Sequence, residues 1–254
     1  MNIFNRIILT NVLIITSVTS LAAEHPHPLP HTKLIITPAP AKITASPVTG
    51  NFAITSNYIF RGISQSNNLP AFQGGLTYTF ATTGIYLNIW GSNVNQTANN
   101  GAVATLEVDQ VAGITNKIKD FSYDAHFVHY AYPKAGRLNY NELIGSVSYL
   151  FLTGLVGLSN NVFNTHTTGV YYNLNANFDL PQKFTHFKDV SAGGCIGYYS
   201  LTSAAGKSYN DYMLYVNKII HNYVLTLKWT NTNHRLLNNS LDGSHFIAAV
   251  AVNF

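Results

Sequence analysis

From residue 50 to the last residue the chain alternates apolar and polar positions with a period of two, in short runs separated by polar turns. That is the rhythm of strands with two different faces, not of helices. The pattern predicts strands at 50–61, 69–80, 83–92, 103–115, 121–131, 139–150, 153–160, 168–179, 188–200, 208–218, 222–231 and 243–254. Their length, near the ~9–11 residues that a tilted strand needs to cross a bilayer, exceeds the five or six usual in soluble sheets. The first, third and every later odd join, such as "GISQSNN", "NVNQTANNGA" and "NTNHRLLNNSLD", is mostly longer than the intervening joins, such as "AT", "LT" and "IIHN". Long loops at one end and short turns at the other mark an outer-membrane barrel. The expected fold is therefore all-β: a transmembrane antiparallel up-and-down barrel of about twelve strands.

The ending "HFIAAVAVNF" fits this reading, because chain termini are ordinarily frayed and polar. Here Phe246, Val250, Val252 and Phe254 share one face of an uncharged strand. A closing strand must be complete to its end, since it pairs with the first strand and leaves no edge. Recognition by the barrel-assembly machinery is expected through this same strand, and outer-membrane lipid is the expected surrounding. Aromatics near strand ends (Tyr58, Phe60, Tyr78, Phe80, Trp90, Trp229 and Phe254) are expected to form interfacial girdles.

Composition sharpens the picture. Only 9% of the residues are charged, against about a quarter in ordinary globular proteins, and a soluble barrel would carry many more surface charges. The net charge is +4, but Lys and Arg stand singly, so no nucleic-acid partner is expected. Residues 1–23 read as a secretory signal peptide: Arg6, then "IILTNVLIITSVTSLAA", then small residues for cleavage. Residues 24–49 form a Pro-rich tail or linker that cannot pair as a central strand. Its His25, His27 and His31 are incidental unless a metal collects there. Cys195, the one cysteine, has no partner for an intramolecular disulfide. No cofactor is expected.

The stretch from Ile54 to Val94 also resembles the TorF-type putative porin family of proteobacterial outer-membrane proteins. The resemblance rests on Ser56-Asn57-Tyr58, Phe60-Arg61-Gly62, Ser64-Gln65, Pro70-Ala71, Gln73-Gly74-Gly75, Gly84 with Tyr86, Trp90 and Ser92-Asn93, with weaker echoes in Glu107-x-Asp109, the "YAYP" at 130–133, Glu142 and Gly197-Tyr198-Tyr199. It covers roughly residues 50 to 254 and departs at Asn57, where Asp is common, and at 230–233. It implies an outer-membrane barrel and a pore, and brings no solute with it.

Strand parity places Arg61, Glu107, Asp109, Asp124, His126, Glu142 and Lys228 inside the barrel, since a basic residue on the lipid face costs about 2–4 kcal/mol at the midplane. They are candidates for a lumen lining that filters ions, or for a charge network that only holds the barrel's shape. Acids outnumber permanent bases among them, which favours cations. Three functions stay open: a porin-like channel for ions or small hydrophilic solutes, a non-conducting anchor or adhesin barrel, and an outer-membrane hydrolase. The hydrolase reading rests on Asp124 and His126 sharing a face, with no identifiable nucleophile; an enzyme is not expected. Glycines in "SAGGCIGYY" read as easing strand curvature, because no helix follows to hold a phosphate.

Overall fold

A computed structural model describes residues 47–80, 82–98, 101–233 and 240–254. The signal peptide and nearly all of the Pro-rich tail, with His25, His27 and His31, lie outside the described residues, as do His234 and Arg235 of the last long loop. Twelve antiparallel strands close into a barrel in the circular order β1-β14-β13-β12-β11-β10-β9-β8-β7-β6-β5-β4. They are β1 (Val48–Thr55), β4 (Ala71–Thr79), β5 (Ile85–Thr97), β6 (Val103–Ile118), β7 (Phe121–Ala131), β8 (Tyr140–Tyr149), β9 (Leu152–Ser159), β10 (Gly169–Leu180), β11 (Val190–Leu201), β12 (Tyr209–Ile220), β13 (Tyr223–Thr232) and β14 (His245–Asn253). The remaining pair, β2 (Ile59–Phe60) and β3 (Ile63–Ser64), forms a separate two-stranded hairpin. Each neighbour pair in the wall is consecutive except the seam, so the topology is up-and-down.

The seam pairs the last strand with the first. Phe52 lies opposite Val252 and Ile54 opposite Val250. The Gly50 N–H donates to the Phe254 carbonyl at 2.7 Å, and the Phe254 N–H returns a bond to the Gly50 carbonyl at 3.0 Å. A closed seam leaves every wall strand paired on both sides, the condition for backbone in lipid.

Alternation decides what each face meets. Phe52, Ile54, Leu76, Ile89, Leu143, Leu174, Leu214, Leu227, Phe246 and Val250 point outward and are exposed, an apolar wall that only hydrocarbon satisfies. At the end with the short turns, Tyr78, Phe80, Phe121, Tyr149, Phe151, Phe178, Tyr223 and Phe254 stand on the outside, with Phe121 stacked on Tyr149 at 4.5 Å and Phe151 on Phe178 at 4.8 Å. This is an interfacial girdle.

Four of the seven expected girdle members are not in it: Trp229 is half-buried and pairs with Phe246 towards the opposite end of the wall, and three lie inside. Tyr58, Phe60 and Trp90 are 3%, 9% and 1% exposed and sit inside the barrel. Trp90 stands on the inward side of β5 with Tyr86 and Asn88; for Tyr58 and Phe60 the reason is that β1 ends at Thr55, six residues before the expected end, and residues 56–70 do not continue up the wall. They turn inward, and the hairpin β2–β3 lies in the lumen. The other boundaries agree to about three residues, except that β5 runs to Thr97, five residues past the expected end, and β1 begins at Val48, inside the expected tail.

The hairpin folds inward because its turn dictates a tight reversal. Arg61 and Gly62 are its two central residues, with Phe60 opposite Ile63, and both have positive φ, 48° and 79°. Two left-handed residues in a two-residue loop give the reversal that matches strand twist. At its base Asn57 gathers the chain: its Oδ1 accepts from the Ser64 hydroxyl at 2.7 Å and the Ser66 hydroxyl at 3.1 Å, and its Nδ2 donates to Asn68 Oδ1 at 2.9 Å.

Candidate functional site

The wall supplies the acids. Glu107 and Asp109 on β6, Asp124 on β7, Glu142 on β8 and Asp211 on β12 all point inward and are buried. A buried carboxylate needs hydrogen-bond donors, and tyrosine hydroxyls serve Glu107, Glu142, Asp211 and Asp124. Tyr132 donates to Glu107 at 3.0 Å, Tyr130 to Glu142 at 3.0 Å, Tyr171 to Asp211 at 3.1 Å and Tyr86 to Asp124 at 2.9 Å. Each pair joins different parts of the wall, with Tyr132 just past the end of β7, so the lumen is laced circumferentially.

Across this ring reaches Arg61. It starts from the loop after β1 and meets Glu142 on β8, five strands round the wall. Nη1 donates to Glu142 Oε1 at 2.9 Å and Nη2 to Oε2 at 2.8 Å. This planar fork on a carboxylate is the strong form of ion pair. The guanidinium carbon lies 4.1 Å from the Tyr171 ring centre, 4.6 Å from Tyr199 and 4.7 Å from Phe60. The Tyr209 hydroxyl donates to the Arg61 carbonyl at 3.0 Å. Gly157 leaves the room: a Cβ there would lie 2.8 Å from Glu142 Oε1 and 3.1 Å from Arg61 Nη2.

The hairpin is also tied at its flanks. Asn95 N–H donates to the Gln65 carbonyl at 2.8 Å, Ser64 N–H to the Leu241 carbonyl at 2.7 Å, and the Gln65 and Gln96 side chains bond each other. Tyr58 meets Trp90 edge-on at 5.7 Å, and Phe60 meets Tyr130 at 6.0 Å. Arg61, Glu107, Asp109, Glu142, Tyr171, Tyr199 and Asp211 are all at most 3% exposed. At this level the lumen holds a packed core of aromatics and paired charges.

Asp124 and His126 form a second cluster. Asp124 Oδ1 lies 2.5 Å from His126 Nδ1, and its other oxygen accepts from Tyr86. The third member is thus a hydroxyl that serves the carboxylate, not a nucleophile held by the imidazole, and the arrangement lacks the logic of a hydrolytic triad. Lys228 faces inward on β13 opposite Tyr215. Among the described residues no group of His, Cys, Asp and Glu is placed to hold a metal.

Sequence reasoning missed Asp211 and the tyrosines. Tyr209, Asp211, Met213 and Tyr215 face inward while Tyr212 and Leu214 face outward, so aromatics on both faces of β12 concealed its parity. The glycines Gly193 and Gly197 also serve more than curvature. A Cβ at Gly197 would lie 2.2 Å from the Tyr171 hydroxyl and 2.3 Å from Asp211 Oδ2, and one at Gly193 would lie 2.3 Å from the Tyr215 hydroxyl. They clear space for the lumen tyrosines.

Closed wall, apolar exterior and polar interior define a transmembrane β-barrel. The chain belongs to a bacterial family of unknown function, Gcw_chp, whose model matches residues 41–249. No curated protein matches the sequence. Among solved structures, a chain from the work "Unveiling the Mechanism Behind the in-meso Crystallization of Membrane Proteins" is 7% identical, with a TM-score of 0.51 over 82% of this chain and 83% of that one. The KdgM porin is 12% identical with a TM-score of 0.47, covering 81% of this chain and 98% of its own. OpdK of Pseudomonas aeruginosa, solved with vanillate, is 13% identical with a TM-score of 0.41 over 73% of this chain and 56% of its own. The first likeness shows the fold.

Proposed function

We propose that this chain is a porin-like channel of the bacterial outer membrane, through which ions or small hydrophilic solutes diffuse. The observation that carries the reading is the radial sorting of the wall: exposed aliphatic side chains outside, and five acids with Arg61 and Lys228 among the described strand and hairpin residues inside. A barrel that served only as an anchor gains nothing from burying so many charges, each of which costs solvation. The excess of acids favours cations. Outer-membrane lipid and the barrel-assembly machinery, met through β14, are the partners of this reading.

In the conformation described, the inward hairpin fills the lumen between β8 and the loop after β13. Permeation then follows displacement of the hairpin, with Arg61–Glu142 as its latch. The same packing favours a second reading, a non-conducting anchor. Single-channel recording of the refolded protein separates the two, once a heat-dependent gel shift has shown folded barrel. Discrete steps whose size follows salt, and whose open probability rises in Arg61→Ala, support the channel. Folded protein without steps in either form leaves the anchor.

A further inference from the structure

The wall around Arg61 supplies the carboxylate fork and two ring faces of a receptor for a guanidinium group, and the hairpin adds the occupant and the Phe60 ring. Glu142 gives a carboxylate fork at 2.8 and 2.9 Å, held by Tyr130. Tyr171 and Tyr199 present ring faces at 4.1 and 4.6 Å. All four residues are wall residues, on β7, β8, β10 and β11. Gly157 keeps open the space in which the fork is made.

We infer that this pocket is a recognition site for a solute bearing a guanidinium group, and that Arg61 occupies it in cis until such a solute displaces it. The inference rests on the channel reading for its purpose, whereas binding itself is measured independently.

Three physical points lead there. A buried ion pair adds little over a well-packed apolar contact of the same volume, so holding the hairpin in place does not by itself call for a charge at Arg61. Planar fork geometry and flanking aromatic faces discriminate guanidinium from ammonium, which binds as a point charge without the fork. Finally, a free solute reproduces the side-chain contacts of Arg61, leaving the hairpin its remaining ties, such as the Tyr209 hydroxyl on the Arg61 carbonyl and the ring contacts of Tyr58 with Trp90 and Phe60 with Tyr130. The resident arginine competes at the high effective concentration of a tethered group, which makes the site a threshold device and not a permanently open one.

The test uses agmatine as the guanidinium probe and citrulline, with a neutral urea group in its place, as the control. In the full chain carrying Trp229→Phe, Trp90 is the only remaining tryptophan and reports the hairpin through its contact with Tyr58. Agmatine is expected to change Trp90 emission saturably, and citrulline is not. Equilibrium dialysis is expected to show folded Arg61→Ala retaining agmatine at least tenfold more tightly than the parent, and Arg61→Ala with Glu142→Gln losing that retention. If Arg61→Ala does not fold, Arg61→Lys takes its place, with a several-fold gain expected because lysine lacks the fork. Equal retention of citrulline, or no retention of agmatine by a folded Arg61 variant, overturns the site. Conductance on the same preparations keeps the two readings apart: agmatine binding without channel steps sinks the channel and keeps the site, and steps without agmatine binding do the reverse.

Discussion

Replacing Gly62 with alanine tests the inward hairpin most directly, because backbone and packing both forbid it. At φ 79° an L side chain pays about 1–2 kcal/mol for the left-handed conformation. The added Cβ would also lie 2.5 Å from Thr232 Cγ2 and 2.9 Å from Asp211 Cβ, inside van der Waals contact, and overpacking of this kind costs roughly 1–3 kcal/mol. Together the docked state loses about 2–5 kcal/mol, or about 30-fold to several thousandfold in the docking equilibrium, at 1.4 kcal/mol per tenfold. Limited trypsin digestion of the folded protein reads this, since Arg61 is 3% exposed and its peptide bond is reached only when the hairpin leaves the lumen. Cleavage after Arg61 should accelerate with the open population. Thr232→Ser in the same chain removes only the methyl that collides and keeps the hydroxyl that accepts from Gly243 N–H at 3.1 Å, so it should recover part of the loss while the φ strain persists. Cleavage of Gly62→Ala at the parent's rate would refute the inward placement.

Other outcomes follow from the same contacts. Gly157→Ala pushes a methyl to 2.8 Å from Glu142 Oε1; it should part the ion pair and raise tryptic cleavage at Arg61 without a change in the hairpin's own sequence. Asp124→Ala strips the shared acceptor from Tyr86 and His126, leaving buried donors that each cost about 1–3 kcal/mol. Asp124→Asn, which keeps an acceptor oxygen, should cost clearly less in urea unfolding from micelles. Leu227→Arg on the outer wall, where Leu227 is 68% exposed, should cost about 2–4 kcal/mol in lipid vesicles and far less in a soluble-protein setting, so a null effect in vesicles would contradict the lipid-facing assignment. Deleting Phe254 removes both bonds that pair it with Gly50 and should lower the yield of heat-modifiable barrel.

How much of this could be read from the chain alone follows from the range of the interactions. Alternation is a local property, so strand number, most boundaries from β4 onward (the end of β5 excepted) and the outward face of β14 were legible: Phe246, Val250 and Phe254 must lie together once the strand is extended. Closure is an expectation that the apolar face of the last strand raises, and the pairing of β1 with β14 meets it. The inward placement of Glu107, Asp109, Asp124, His126, Glu142 and Lys228 was a parity argument, and the structure puts each of them on that side. What parity cannot express is contact across the lumen. Arg61 was assigned to a wall strand, although its partner Glu142 lies 81 residues away and five strands round the barrel. Tyr58 and Phe60 keep the parity of Phe52 and Ile54 in the sequence, although β1 stops at Thr55 and the left-handed pair Arg61-Gly62 then reverses the chain inside the barrel. Tyr58, Phe60 and Trp90 look like girdle residues in sequence, because an aromatic ring serves a lipid interface and a packed core equally well. Which of the two it meets depends on where the loop goes, and that is decided by the closed wall it packs against.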